Sequence, residues 1–193
     1  MNNLSIVLAT RSGVIHFTDL ANTLGNLVSR TVAMTKKYFD GVIPSPAGDE
    51  GPDAELKAAA ADAYANFTAN MDTFRAADAL DAVFTLLRRA NKYIDETAPW
   101  ALAKDEAQRA RLGTVLYNLL ESLRIAAILL RPAIPDSAEK ILAAIGSPDD
   151  RFESAAAFGI TRPGNTVGEQ SVLFARLDEM KTLAELNAEK AEA

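Results

Sequence analysis

Residues 106–130 read EAQRARLGTVLYNLLESLRIAAILL, and this stretch decides the fold. Leu112, Val115, Leu116, Leu119, Leu120, Leu123, Ile125, Ile128 and Leu129 put apolar groups around much of a helical circumference instead of along one stripe. Such a helix must be surrounded by other helices, so it belongs in the middle of a bundle. Its most apolar run, Leu123 to Leu130, contains Arg124 and ends at Arg131. That run falls short of the ~20 residues that cross a bilayer, so no membrane span is expected.

Neighbouring segments supply the surrounding helices. Downstream, Pro132 and Pro135 break the central helix, and Ile141, Leu142 and Ile145 outline a short one that Gly146 ends. Upstream, a segment from Ala76 to about Glu96 sets Leu80, Val83, Phe84, Leu87 and Ile94 on one face before Pro99 stops it. Before that, a helix restarting near Asp53 carries Leu56, Ala60, Ala63, Tyr64, Phe67 and Met71 as one stripe. Val42 to Gly48, with Gly51 and Pro52 close behind, reads as an exposed loop. From Asp19 to Phe39, Leu20, Leu24, Leu27, Met34 and Tyr38 follow steps near 3.6, with Thr18 or Asp19 placed to cap the start and Gly41 the end. Five helices with short connections predict an all-α, antiparallel helical bundle.

Beyond Gly146 the texture changes. Ser147-Pro148-Asp149-Asp150 and Arg162-Pro163-Gly164-Asn165 are rich in turn formers and predict an irregular extension running over the surface. Val172-Leu173-Phe174 reads as a short extended segment that lays Phe174 onto the bundle. From Asp178 to Ala193 the chain is Glu-, Lys- and Ala-rich, as in a solvated helix or linker.

Composition narrows the chemistry. The 193 residues hold 49% hydrophobic and 24% charged residues, ordinary for a globular protein. Without cysteine there are no disulfides or thiolate metal sites, which fits a reducing cytoplasm. The one histidine, His16, lies in an irregular N-terminal stretch and reads as solvated, so neither a histidine-based metal site nor Ser/His/Asp catalysis is expected. Ile6-Val7-Leu8-Ala9 lacks the basic leader of a secretory signal. A formal charge of −6 opposes binding nucleic acid by overall electrostatics, so any RNA site must be local, and DNA is not an expected partner.

Two groups of residues carry candidate chemistry. Asn26 and Arg30 are four apart and project from one helix face, beside the apolar stripe. An amide that donates and accepts, next to a planar guanidinium fork, suits base edges, although such pairs are commonly just solvated. Trp100, the only tryptophan, ends the run Asn91-Lys92-Tyr93-Ile94-Asp95-Glu96-Thr97-Ala98-Pro99-Trp100. It reads either as a hydrophobic plug between helices, which composition favours, or as a platform on which an unpaired base stacks, worth about 1–3 kcal/mol.

The string Leu20-Ala21-Asn22-Thr23-Leu24-Gly25-Asn26-Leu27-Val28-Ser29-Arg30, ending in Tyr38-Phe39-Asp40-Gly41, resembles the first helix of the anticodon-binding domain of methionine-tRNA ligases, class I aminoacyl-tRNA synthetases. Asn91 to Trp100 is similar to that family's second signature, and Leu129-Leu130-Arg131-Pro132-Ala133-Ile134-Pro135 to its third. Phe158-Gly159 and Leu173-Phe174-Ala175-Arg176-Leu177-Asp178 resemble the segment that returns toward the catalytic domain, with Ala175 where a proline is usual. The Asn91 to Trp100 signature argues against the related ligases for Val, Ile or Leu.

The resemblance implies that Asn26, Arg30 and Trp100 read the CAU anticodon loop of methionine tRNA. Lys36, Lys37, Arg88, Arg89, Lys92 and Lys104 would supply phosphate contacts, and each reads equally well as solvated surface. Together with the residue patterns above, the resemblance gives this expected layout: residues 1–18 unmatched by the family, 19–146 the anticodon-binding bundle, 147–177 the extension and 178–193 a charged helical tail. The family's catalytic signatures, which bind ATP, do not occur here: His16 is not followed by Ile-Gly-His, and there is no Lys-Met-Ser-Lys-Ser run. These residues are therefore expected to carry no catalytic centre, no metal and no cofactor, ATP belonging to the full-length family. Alternatives are a free-standing cytoplasmic tRNA-binding protein that serves a separate catalytic subunit in trans, or a non-functional truncated remnant.

Overall fold

A computed structural model describes residues 8–10, 13–15, 21–147 and 150–169. Five helices of two turns or more stand among them: α1 Asn26–Phe39, α2 Asp53–Asp72, α3 Ala76–Thr97, α5 Arg109–Leu130 and α6 Pro135–Ala144, with a single turn, α4 Pro99–Leu102, between α3 and α5. A π-helical turn, Ala21–Gly25, leads into α1. One element was not anticipated: a small antiparallel pair, β1 Leu8–Thr10 with β2 Gly13–Ile15, ahead of the bundle. His16, Thr18, Asp19 and the segments from Val172 onward lie outside the described residues.

Helix α5 occupies the centre, every residue from Leu112 to Leu130 being buried. With its leading turn, Glu106–Leu130, it is long and apolar enough to cross a membrane by length and composition, which the run from Leu123 alone does not suggest. That apolarity is consumed inside the bundle, where the stretch from Leu112 to Leu130 is covered by protein. Around it, α3 turns Leu80, Val83, Phe84, Leu87 and Ile94 inward, as its 3.6-residue pattern requires, and α2 turns in Leu56, Ala60, Ala63 and Phe67.

The face of α1 is rotated from the predicted one. Leu24, Leu27, Val28, Thr31, Val32 and Thr35 are buried, whereas Met34 and Tyr38 only pack at the edge. The Thr35 hydroxyl donates to the Thr31 carbonyl at 2.9 Å, so Thr35 enters the core with its polar atom satisfied inside the helix. The loop after α1 also differs. Ile43 is 1% exposed, and Pro44 is buried against α5, where Gly113 has no Cβ to hold it off. The Ala47 N–H then donates to the Thr114 hydroxyl at 2.9 Å.

Past α6 the chain returns over the bundle. Gly168 N–H donates to Ala144 O at 2.9 Å, Val167 N–H to Gly41 O at 2.8 Å, and Ile43 N–H to Asn165 O at 2.8 Å. Residues 164–168 thus lie between the end of α6 and the loop that follows α1. Earlier in this segment, Phe152 packs its ring 5.5 Å from Tyr64 and 6.1 Å from Phe67.

Candidate nucleic-acid interface

The turn that carries Trp100 begins where α3 stops. Ala98 adopts φ 42°, ψ 61°, a left-handed conformation that an L-residue occupies at a cost of about 1–2 kcal/mol. Pro99, buried, then starts α4 with a φ already suited to a first helical residue. The reversal of hand throws Trp100 outward, and its residue surface is 45% exposed. It is therefore not the interhelical plug that composition favours.

Asn26 opens α1, and both it and Arg30, one turn on, are exposed on that helix. The turn that leads into their helix is tied to α3: the Asn91 amide donates to Thr23 O at 3.2 Å and to Leu87 O, within α3, at 3.0 Å. Asn26 lies three residues after Thr23, and α3 runs six residues past Asn91 before Ala98 turns the chain toward Trp100, about 5 and 9 Å along the helical rise. The start of α1 and the end of α3 are thus brought to the same end of the bundle.

Cations are distributed unevenly about this end. Lys92 neighbours Asn91 and pairs with Glu96 at 3.2 Å while remaining 68% exposed. Lys104 follows α4 and is exposed, as is Arg88, which donates to the Thr85 hydroxyl at 2.9 Å. Arg89 is occupied: 13% exposed, it donates to Glu96 at 2.9 Å, to Glu55 at 3.1 Å and to Pro52 O at 3.3 Å. Lys36 and Lys37 belong to the last turn of α1, about 15 Å from Asn26 along the axis, and Lys37 lies 5.2 Å over the Tyr38 ring.

A polar cluster that sequence reasoning missed lies beneath this end. Asp53, the first residue of α2, is wholly buried. Its carboxylate accepts from the Tyr93 hydroxyl at 2.6 Å, from Arg111 at 2.5 and 2.9 Å, and from Glu50 N–H at 2.9 Å. Burial pushes its carboxyl up, but the bonds from Arg111, Tyr93 and Glu50 outweigh that and hold it below the usual range. The Tyr93 phenol, buried beside that carboxylate, is pushed well above its ordinary value. An Asp after Gly51-Pro52 at a helix start is a capping signal readable in sequence. Nothing local pairs it with residues 40 and 58 positions away.

A family model described as the anticodon binding domain of methionyl tRNA ligase matches residues 44–189. The methionine–tRNA ligase of Clostridium acetobutylicum is 49% identical over 174 residues, 90% of this chain and 27% of its own length. That of Clostridium perfringens is 47% identical over 173 residues, again 90% and 27%. Thus the chain spans about a quarter of these curated relatives. The crystal structure of free-state Mycobacterium tuberculosis methionyl-tRNA synthetase superposes with a TM-score of 0.77 at 38% identity, covering 83% of this chain and 33% of that one. A helical bundle with three ordered signatures, a matching family model and a matching solved fold lead to one conclusion: the chain belongs to the family of methionyl-tRNA ligase anticodon-binding domains.

Proposed function

We propose that this domain reads the CAU anticodon of methionine tRNA. One base of the unpaired loop stacks on Trp100, while Asn26 and Arg30 bond base edges and backbone from the adjacent helix end. Stacking suits an exposed indole and needs no net positive charge, which accommodates the chain's −6. The observation that carries this reading is the outward projection of Trp100 from the Ala98-Pro99 turn, on the same end of the bundle as Asn26.

Lys92, Lys104 and Arg88 flank that end and supply phosphate contacts, with Lys36 and Lys37 reaching a more distant part of the backbone. Arg89 serves instead to join α2 to α3, because its two terminal nitrogens are already engaged by Glu55, Glu96 and Pro52. The parent reaction, ATP-dependent ligation of methionine to tRNA, is assigned to residues outside these 193, whether in a longer ligase chain or in a separate catalytic subunit. Translation places this activity in the cytoplasm. The free-standing and remnant readings are not favoured by the relatives named above, which are methionine–tRNA ligases.

The test uses the single tryptophan. An anticodon stem–loop RNA carrying CAU is titrated against one with an altered anticodon while Trp100 fluorescence is followed. Quenching confined to CAU, and weakened about tenfold or more in Arg30→Ala, is the expected result. Equal weak binding of both RNAs overturns the reading.

A further inference from the structure

We propose that Asp53, Tyr93 and Arg111 are positioning residues for Trp100: the buried knot they form fixes the end of α3 and the start of α5, between which the left-handed turn presents the indole. This inference rests on the anticodon-reading assignment for its purpose, though not for its geometry.

The knot joins three helix ends through one carboxylate. Asp53 begins α2, Tyr93 lies in the penultimate turn of α3, and Arg111 lies in the first turn of α5. Asn118 of α5 adds a fourth member, its amide 3.3 Å from the Tyr93 hydroxyl. The last turns of α3 are held on either side of Tyr93 as well. The Thr97 hydroxyl donates to Tyr93 O at 2.7 Å, and Arg89 reaches across to Pro52 O at 3.3 Å. On the far side of the turn, Leu102 and Ala103 pack against the core. Trp100 is therefore mounted between two anchored points.

Two features call for such anchoring. Ala98 at φ 42° is strained, and strained residues persist where their surroundings over-determine them. A wholly buried carboxylate is also costly to desolvate, and well-packed apolar groups of similar volume often give equal or greater stability. What an ionic knot adds over apolar packing is a single geometry, bonded at fixed angles from three directions. The readable consequence is the orientation of the one exposed indole beside it.

The experiment compares the intact chain with Tyr93→Phe, which deletes only the hydroxyl, and with Arg111→Lys, which keeps the charge but loses the bidentate fork. Tyr117→Phe is the control, since it removes a hydroxyl bonded at 2.8 Å to Thr161 O, in the extension. Each protein is examined free, by urea unfolding and by time-resolved anisotropy of Trp100, and then with the CAU and altered stem–loops. Tyr93→Phe and Arg111→Lys are expected to unfold cooperatively, to show increased local rotation of the indole, and to discriminate between the two RNAs about five- to tenfold less, the loss of roughly one net hydrogen bond. Affinity for the altered loop should stay unchanged, because phosphate contacts are untouched. Tyr117→Phe should lose stability without freeing Trp100. The proposal is overturned if indole rotation in Tyr93→Phe and Arg111→Lys matches the parent, or if Tyr117→Phe raises it equally. If the parent itself does not discriminate between the RNAs, the anticodon assignment fails, while the free-protein anisotropy still decides the role of the knot.

Discussion

Glu121 and Arg124 stand one turn apart on α5, both with no exposed side-chain surface, and close an ion pair at 3.0 Å whose other bonds go to the returning segment. Glu121 accepts from the N–H groups of Gly159 at 2.6 Å, Ile160 at 3.0 Å and Thr161 at 2.7 Å. Arg124 donates to Ser154 O at 3.1 Å and to Ala157 O at 2.7 Å. A carboxylate and a guanidinium in the most apolar helix thus provide the acceptors and donors that backbone outside regular structure needs. Buried pairs can often be replaced by apolar residues at little cost, but here three N–H groups would lose their acceptor at about 1–3 kcal/mol each. The double variant Glu121→Leu/Arg124→Met is therefore expected to be less stable than the parent by several such units. Urea unfolding measures the loss, and faster amide exchange at residues 159–161 locates it. Parent-like stability would contradict the argument.

Acid should attack the same groups. In Glu121, burial raises the carboxyl, but Arg124 and the Thr161 N–H hold it below the usual range; Asp53 is lowered likewise. A carboxyl lowered by folding takes up protons more readily in the unfolded chain, so its contribution is present above the unfolded value of about 4. That contribution is lost as pH falls through the lower, folded-state value. Urea midpoints between neutral pH and strong acid should be flat with respect to these two groups until about pH 4 and fall below it. Asp53→Asn should lower the neutral midpoint and flatten the acid slope. An unchanged slope in that variant would place the acid sensitivity elsewhere.

Gly146 closes α6 at φ +67°, and a Cβ there would collide with the carbonyl oxygen of Thr166. Gly146→Ala adds the left-handed penalty of an L-residue, about 1–2 kcal/mol, to that collision with backbone. Thermal and urea unfolding should both show a loss of about 2 kcal/mol or more. The same substitution at Gly159, φ +94° with open space around it, should carry the conformational penalty without the clash and cost less.

Phe74 is 96% exposed and holds φ 57° in the tight link between α2 and α3. Its ring contributes no burial that offsets this backbone conformation. Phe74→Asn, with a side chain that tolerates the left-handed region, is expected to raise stability by about 0.5–1 kcal/mol and to leave RNA binding unchanged. A fall in the urea midpoint would show that the ring makes contacts in solution.

The helices were legible because each writes its buried face at a period near 3.6, and α5 because it has no exposed face beyond its first turn. What escaped was chemistry without a period. Thr31 and Thr35 are buried with the apolar face of α1, the Thr35 hydroxyl bonding to the Thr31 carbonyl within the helix, and counts of apolar residues omit both. Pro44 looks like loop until Gly113, some 70 residues later, is laid beneath it. The family resemblance pointed to Trp100, but its outward display depends on Ala98 taking a left-handed conformation, unusual for a residue that precedes proline. Asp53, Tyr93 and Arg111 are individually unremarkable in sequence, and only the tertiary fold assembles them.

The pairing of Val42 with Thr166 joins positions more than a hundred residues apart in the chain. Everything between them must already be compact before the two meet, because closing so long a flexible loop carries an entropic cost that a few hydrogen bonds do not offset. The helices can form and dock through nearer partners, so the closing strip engages late, and its release is the natural first step of unfolding. In kinetic terms, substitutions such as Gly146→Ala act chiefly on the unfolding limb of a chevron plot, setting how long the domain stays folded more than how quickly it forms.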